Sequence, residues 1–240
     1  MERVYLEDFS GTEVRGAAAR HLKKVLRVRP GALFAGYDGE REWLLRVERA
    51  GGDSVDVSVE SRRELPAAPC GRVLLAPSLI KGQRWDWLLE KAAEMGVGRI
   101  APVAAARSVV RLGRGDMSDR MLRWRRILGS AAAQCAGRTP EIAAPVELDE
   151  LLKSTEGEPN KYILIKRPDS APLAELARNA LPGTIALLIG PEGDWTDREA
   201  AAAEKAGCKA ASLGPLILRS ETAAVAAAAT VAAVTAAEDN

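Results

Sequence analysis

Two stretches in the last third of the chain constrain its fold most strongly, because each ends an apolar or small-residue run at Gly-Pro. Residues 187–195 read LLIGPEGDW, and residues 212–223 read SLGPLILRSETA. Each leads into a segment of helical character, a pattern that predicts a buried strand, a sharp turn and a helix start. Ligands of open α/β sheets bind at the carboxyl ends of the strands. Either stretch alone is typical of an ordinary strand-to-helix turn, but the pair predicts one pocket walled by both.

The sequence from residue 71 onward alternates between short apolar runs and longer helical patterns. The predicted strands cover residues 73–76, 100–103, 162–165, 185–189 and 210–213. The predicted helices cover residues 83–95, 118–135, 173–179 and 221–237, and a Thr196–Glu199 capping box opens one more. Alternation of this kind predicts a mostly parallel sheet with helices on both faces.

The first 65 residues show a different pattern, with short β segments separated by Pro-Gly, Asp-Gly and Gly-Gly turn signals. The predicted strands cover residues 4–6, 32–35, 42–47 and 54–59, with a helix at residues 16–26. Short strands at this spacing predict a small β-barrel. Residues 64–69 contain two prolines and predict a linker, so we expect two domains, residues 1–68 and residues 69–240.

The last predicted helix consists almost wholly of Ala, Thr and Val. Small side chains let another backbone approach closely, and many weak contacts then add up. We therefore expect this helix, including Ala228 and Ala232, to pack against the core of the chain or against a second copy. The alternative is that alanine is abundant there because it is the best helix former.

The composition argues against several protein classes. Cys70, Cys135 and Cys208 are far apart and form no CxxC pair, and His21 is the single histidine. This pattern disfavours a disulfide framework and a zinc or His-rich metal site. The start of the chain lacks the apolar core of a secretory signal, and residues 222–237 are too short and weakly apolar to span a membrane. We therefore expect a cytoplasmic protein without a metal or a membrane span.

Charge is distributed unevenly along a chain whose net charge is +1. Residues 71–140 hold 13 Lys/Arg and 5 Asp/Glu, which gives this middle section a net charge of +8. A local positive excess favours an anionic partner such as nucleic acid, although a solvated helix face accounts for it equally well. The candidate nucleic-acid contacts of this section are Arg123, Arg126 and Arg138. His21, Lys24 and Arg27 share one face of the predicted helix at residues 16–26, a spacing that by itself favours a solvated face over a phosphate-contacting stripe.

The two Gly-Pro stretches also carry a family resemblance. IGPEG at residues 189–193, followed by LGPLILRSETA at residues 213–223, resembles the signature of the bacterial 16S ribosomal RNA uridine-N3 methyltransferases. Supporting similarities are HLKKVLR at residues 21–27, KAAEMGV at residues 91–97, and Ala133-Gln134 with Arg138 and PEI at residues 140–142. The resemblance covers nearly the whole chain. One departure is Asp194, which stands where the family usually has a second glycine and is followed by Trp195.

This resemblance implies an α/β fold of the SPOUT type, with a parallel sheet and a C-terminal trefoil knot, preceded by a small PUA-like RNA-binding barrel. It implies S-adenosyl-L-methionine as the cofactor, a homodimer as the assembly, and 16S rRNA or the small ribosomal subunit as the partner. The implied reaction is methylation of N3 of one uridine. The knot follows from the resemblance alone, because periodicity gives no sign of one and knots are rare.

The resemblance also suggests site residues, and with it Arg3, His21, Lys24 and Arg27 join the candidate nucleic-acid contacts. The catalytic candidates are Arg219, which would hold the uracil oxygens or a phosphate, and Glu221 or Glu192, which would accept the N3 proton. A charge that favours the first turn of a helix explains Glu221 almost as well, and a structural salt bridge is the alternative for Arg219. The expected cofactor-binding residues are Ile165, Ile189, Gly190, Pro191, Glu192, Gly193, Leu213, Gly214, Ile217, Leu218 and Thr222.

Two other hypotheses compete with this one. The first is a SPOUT methyltransferase that acts on tRNA or on another rRNA site. The second is a non-catalytic RNA-binding assembly factor that kept the fold, and Asp194 within the glycine loop is its support in the sequence.

Overall fold

The computed structural model of the protein describes residues 2–7, 9, 11–65, 68–110 and 117–235. Its first elements are β1 (Arg3–Tyr5), β2 (Glu13–Val14), α1 (Gly16–Lys24), β3 (Leu33–Tyr37), β4 (Arg41–Gly51) and β5 (Ser54–Glu64). The strands form one sheet in the order β1-β3-β4-β5-β2, in which β1 and β3 are parallel and the other pairs antiparallel. The predicted strands and helix are therefore present, and closure of this sheet into a PUA-like barrel stays a prediction.

This first sheet has a hydrophobic core of its own. β4 buries Leu45 and Val47, and β5 buries Val55 and Val57, each pair separated by a polar residue that points the other way. These side chains cluster with Leu22, a fully buried residue of α1. The alternation that predicted the strands thus also determines which face meets the helix.

The rest of the chain alternates strands and helices, as the sequence predicts. Its elements are β6 (Cys70–Pro77), α2 (Gln83–Glu94), β7 (Val97–Ile100), β8 (Val103–Ala104), α3 (Met117–Cys135), β9 (Glu141–Ile142), β10 (Val146–Glu147), α4 (Leu148–Ser154), β11 (Asn160–Leu164), β12 (Ala171–Pro172), α5 (Leu173–Arg178), β13 (Ile185–Ile189), α6 (Asp197–Lys205), β14 (Lys209–Ser212) and α7 (Ser220–Thr235). Seven strands form a wholly parallel sheet in the order β12-β14-β11-β13-β6-β7-β9, and β8 pairs separately with β10.

Helices cover both faces of the parallel sheet, because successive strand residues point to opposite sides. On one face, Leu75 clusters with Trp85 of α2 and Trp124 of α3. On the other face, Leu74 clusters with Leu148 of α4 and Ala203 of α6. This two-sided burial confirms the α/β architecture.

One predicted strand was wrong. Residues 100–103 do not form a continuous strand, because β7 ends at Ile100 and β8 begins at Val103. Proline has no amide hydrogen for a ladder, and the Pro102 carbonyl instead accepts a hydrogen bond from Val146 N at 3.0 Å. The helix α4 was not predicted, and the predicted end of α7 at residues 236–237 lies outside the described residues.

Helix α7 has two different faces. The inner face is buried and contacts α2, α5 and β6; it consists of Ala224, Ala227, Ala228 and Val231. Ala228 therefore packs against the core of the chain, which is the first of its two expected places, and it is not available for a contact with a second copy. The partly exposed outer face consists of Thr222, Val225, Ala226, Ala229 and Ala233.

The first sheet is docked against α3 and the turn that follows it. A Cβ at Gly129 of α3 would overlap the ring of Tyr5, so glycine is required for this approach. The Tyr37 hydroxyl lies 2.5 Å from the Gly137 carbonyl and 3.1 Å from Thr139 Oγ1. Burial raises the pKa of Tyr37 to about 12, so the hydroxyl stays protonated and donates. The predicted linker includes residues 66–67, which lie outside the described residues.

Candidate functional site

A pocket of about 610 Å³ lies at the carboxyl edge of β11, β13 and β14. Residues 189–194 and residues 211–220 supply most of its wall, so the two Gly-Pro stretches do meet as predicted. The sequence-predicted residues that line it are Ile165, Ile189, Gly190, Pro191, Glu192, Gly193, Leu213, Gly214, Ile217, Leu218 and Arg219. Glu221 and Thr222 are outside this lining, although their neighbours Ser220 and Ala223 are part of it.

The first Gly-Pro loop is tied down by hydrogen bonds to its backbone carbonyls. The Ile189 carbonyl accepts from the Ser78 amide at 2.9 Å and from the Ser78 hydroxyl at 2.8 Å. The Gly190 carbonyl accepts from Ser220 Oγ at 2.7 Å, which joins this loop to the start of α7. Neither Ser78 nor Ser220 could be singled out from the sequence, since a lone serine carries no motif.

Asp194 adopts the turn conformation that a glycine would supply. Its φ is +60°, a left-handed conformation that aspartate tolerates better than most residues. Its amide donates to the Pro191 carbonyl at 2.9 Å, and its Oδ1 accepts from the Trp195 amide at 2.8 Å. Trp195 is 3% exposed and packs in the core behind the loop. The departure from the family pattern therefore leaves the turn intact.

The charged residues of the pocket differ in whether they are paired. Glu192 forms an ion pair with Arg84 at 2.8 Å, which joins the loop to the first turn of α2. Arg219 lines the pocket, is exposed, and has no carboxylate partner within the described part of the chain. The salt-bridge alternative for Arg219 is thus not seen there. Lys166 also lines the pocket and donates to the Pro215 carbonyl.

Glu221 occupies a different environment from Glu192. It lies in the first turn of α7, is 6% exposed, and its Oε2 has no hydrogen-bond donor among the described residues. Its side chain is not part of the pocket wall. The catalytic assignment of Glu221 stays a prediction.

The predicted nucleic-acid contacts fall into two groups. His21, Lys24 and Arg27 are exposed at the end of α1 and just beyond it. The others are engaged with the protein itself: Arg3 with Glu42 at 2.9 Å, Arg123 with Asp86, Arg126 with Glu7 at 3.1 Å, and Arg138 with the Leu65 carbonyl at 3.0 Å.

No group of three or more potential metal ligands occurs among residues 2–7, 9, 11–65, 68–110 and 117–235. Within the same residues, the helices fall short of the length and apolar character that crossing a membrane requires.

Comparisons with known proteins agree with this fold. The RNA methyltransferase domain model matches residues 66–232. A ribosomal RNA small subunit methyltransferase E from Mycobacterium bovis is 30% identical, over 92% of this chain and 86% of the relative. One from Mesomycoplasma hyopneumoniae is 29% identical, over 85% and 86%.

Solved structures of similar proteins cover almost the whole chain. A ribosomal RNA small subunit methyltransferase E from Neisseria gonorrhoeae, bound to S-adenosyl methionine, superimposes with a TM-score of 0.83 at 30% identity and 98% coverage of both chains. A Legionella pneumophila protein in complex with the cofactor SAM gives a TM-score of 0.86 at 30% identity and 96% coverage of both. This chain therefore belongs to the RNA methyltransferase family that includes the ribosomal RNA small subunit methyltransferases E.

Proposed function

We propose that this protein transfers a methyl group from S-adenosyl-L-methionine to N3 of one uridine in 16S rRNA of the small ribosomal subunit. The observation that carries the proposal is the pocket, which is walled by both Gly-Pro loops and exposes Arg219, an arginine without a carboxylate partner among the described residues. The relative from Neisseria gonorrhoeae, which was solved with S-adenosyl methionine, supports the cofactor. The same proposal places the protein in the cytoplasm, where it would meet the small subunit.

The pocket suits S-adenosyl-L-methionine in size and chemistry. Its volume of about 610 Å³ lies within the range of small-ligand sites, about 300–1,000 Å³. Ile165, Leu213 and Leu218 supply apolar surface for the adenine, and the backbone of the two loops supplies polar groups. The second loop requires glycine at residue 214 for its backbone conformation, because the φ of +116° is one that a residue with a side chain rarely adopts. Space is not the reason, since a Cβ there would meet nothing within 4 Å. Thr222, outside the wall, is the weakest member of the proposed cofactor set.

The protein's own residues then have two tasks. When bound, the cofactor supplies a methyl group that its sulfonium charge already activates. Arg219 would hold a uracil oxygen beside N3, or a phosphate, and stabilise the negative charge that appears as the N3 proton leaves. Glu221 or Glu192 would accept that proton, directly or through water. The Arg84 ion pair of Glu192 also fixes the position of its loop.

The family-specific features of the fold are part of the same proposal. We propose that residues 1–68 form a PUA-like RNA-binding barrel and that residues 69–240 form a SPOUT domain with a trefoil knot. The separate core of the first sheet supports the boundary. The knot rests on the family to which the chain belongs, and the Ser220–Gly190 hydrogen bond brings the first loop and the start of α7 together at the pocket.

The activity is tested with purified protein, S-adenosyl-L-methionine and either small subunits, naked 16S rRNA or tRNA. We expect one uridine of 16S rRNA to gain a methyl group at N3 when the products are mapped by mass spectrometry. Rescue of that mark in cells that lack this chain is the matching test in vivo. Methylation of tRNA alone would favour the other enzyme hypothesis. Absence of cofactor binding in a calorimetric titration would favour the assembly factor.

We expect RNA binding to depend steeply on salt, because arginines and lysines that contact phosphates release counterions. Arg27→Ala and Arg126→Ala should each weaken binding and reduce the log–log salt slope by about one unit. Arg27 should have the larger effect, since Arg126 is already paired with Glu7 and a phosphate must compete for it. Fluorescence anisotropy with an rRNA fragment measures both, with Lys153→Ala on the distant α4 as the control. Unchanged affinity and slope in both variants would rule out this surface.

We propose that the protein is a homodimer that uses the outer face of α7. This face is a stripe of small and apolar side chains that the described part of the chain leaves partly exposed. Ala229→Arg should convert the dimer to a folded monomer in sedimentation equilibrium, because it places a charge within that stripe. Ala228→Leu is the contrasting variant: it should overpack the core, cost about 1–3 kcal/mol of unfolding free energy and leave the dimer associated. A wild-type protein that is monomeric and active at micromolar concentration would contradict the proposal.

A further inference from the structure

The end of the first Gly-Pro loop is held by a residue far away in sequence. Arg107 Nη1 donates to the Gly193 carbonyl at 2.8 Å and lies 3.4 Å from the Trp195 carbonyl. The aliphatic part of the same side chain packs on Gly193, since a Cβ placed there would lie 3.2 Å from Arg107 Cβ and 3.3 Å from its Cδ. Arg107 therefore contacts the loop through its charge and through its stem.

The segment that carries Arg107 is itself anchored to the residues that follow the loop. The Ala106 amide donates to Glu199 Oε1 at 2.8 Å, while Glu199 Oε2 accepts from the Thr196 amide at 2.8 Å and from its hydroxyl at 2.7 Å. Burial acts to raise the pKa of the Glu199 carboxyl, but these hydrogen bonds outweigh it and the pKa is lowered. The carboxylate therefore stays ionised and keeps its donors at neutral pH.

These contacts close a ring. It runs from Gly193 through Trp195 and Thr196 to Glu199, from there to Ala106, and returns through Arg107 to Gly193. The ring holds Gly193, one of the three pocket-lining glycines, at the end of the 190–195 loop that begins with a second, Gly190. A loop with glycines loses much conformational freedom when a ligand orders it. A side chain that orders it beforehand removes that cost from binding.

We infer that Arg107 is a positioning residue, which holds the 190–195 loop in the conformation that accepts the cofactor. The inference rests on the proposed function for the identity of the ligand, whereas the ordering of the loop is a property of the chain itself. Arginine is suited to the task because the two N–H bonds of Nη1, which faces both carbonyls, are fixed in the rigid guanidinium plane, while the ammonium of lysine rotates freely on a flexible stem. A lysine at this position should therefore restore only part of the effect.

The test compares Arg107→Ala and Arg107→Lys with wild type, and uses Arg198→Ala, an exposed arginine of α6, as the matched control. Calorimetric titration with S-adenosyl-L-methionine should show affinity about tenfold weaker for Arg107→Ala, a smaller loss for Arg107→Lys and no loss for Arg198→Ala. In methyl transfer, the KM for the cofactor should rise in parallel. The kcat at saturating cofactor and the KM for RNA should stay within about twofold of wild type.

A second measurement needs no ligand. Hydrogen exchange of the free protein should show faster exchange at the Asp194 amide, which donates to the Pro191 carbonyl within this loop, in Arg107→Ala than in wild type. Faster exchange in Arg107→Ala, together with a wild-type protein that does not bind the cofactor, would overturn the proposed function and leave the loop assignment standing. A folded Arg107→Ala protein with wild-type exchange at Asp194 and wild-type cofactor affinity would overturn the inference. If Arg107→Ala does not fold, Arg107→Lys decides it by the same two readouts.

Discussion

Replacement of Arg219 by alanine is expected to lower kcat for methyl transfer about 100- to 1,000-fold, while the affinity for S-adenosyl-L-methionine changes little. The loss of one preorganised donor that stabilises a developing anion has this size in other enzymes. Arg219 lines the pocket, is exposed and has no carboxylate partner in the described part of the chain, so its charge is available to the uracil oxygens. Single-turnover kinetics with bound cofactor measure the chemical step directly.

Arg219→Lys is the informative companion variant. It keeps the charge but not the two-pronged geometry, so it should recover part of the lost rate. Arg198→Ala, in an exposed position of α6, controls for the removal of a positive charge. An Arg219→Ala enzyme with turnover within about threefold of wild type would show that another group stabilises the anion.

Gly190→Val should weaken S-adenosyl-L-methionine binding by about 100-fold and leave the protein folded. A Cβ at this position would lie 3.2 Å from Trp195 Nε1, 3.3 Å from Trp195 Cδ1 and 3.4 Å from Asp194 Oδ1. Trp195 is buried and cannot give way, so the loop itself must shift. Overpacking of this kind costs about 1–3 kcal/mol. The cofactor must bind the strained loop, so this cost is subtracted from the binding free energy, and about 1.4 kcal/mol is a factor of ten in affinity.

Calorimetry gives the affinity of Gly190→Val, and circular dichroism establishes that the variant is folded. Gly51→Val is the matched control, because a Cβ at Gly51 in β4 meets nothing within 4 Å and the residue lies in the first sheet. A folded Gly190→Val protein that binds as tightly as wild type would remove this loop from the cofactor site.

The pocket could be predicted because its signal is local. A strand that ends at Gly-Pro determines where its loop begins, and two such strands in one parallel sheet bring their loops to one edge. The Thr196–Glu199 capping box was also predictable, since both its members lie within one turn of a helix, and both of its hydrogen bonds are present.

Contacts between segments that no sequence pattern connects could not be predicted. Arg84 with Glu192 and Arg107 with Gly193 each join residues about a hundred positions apart, and nothing around either arginine distinguishes it from a solvated charge. The two faces of α7 were unpredictable for a related reason. When every side chain is small, hydropathy is nearly the same on all sides of the helix. The elements packed around α7 then determine which side is buried.

The docking of the first sheet against α3 has a consequence for how a target nucleotide is selected. Tyr5 against Gly129, and the Tyr37 hydroxyl on Gly137, hold α1 at a fixed distance and direction from the pocket. In the proposed function, an RNA bound at His21, Lys24 and Arg27 can place in the pocket only a nucleotide that lies at that same distance from the bound site in the folded RNA. Because the two contact sites are held rigidly relative to each other, binding of the RNA at α1 also raises the effective concentration of the target nucleotide at the pocket. In the proposed function, the uridine is therefore selected by the fixed distance between the RNA contacts on α1 and the pocket.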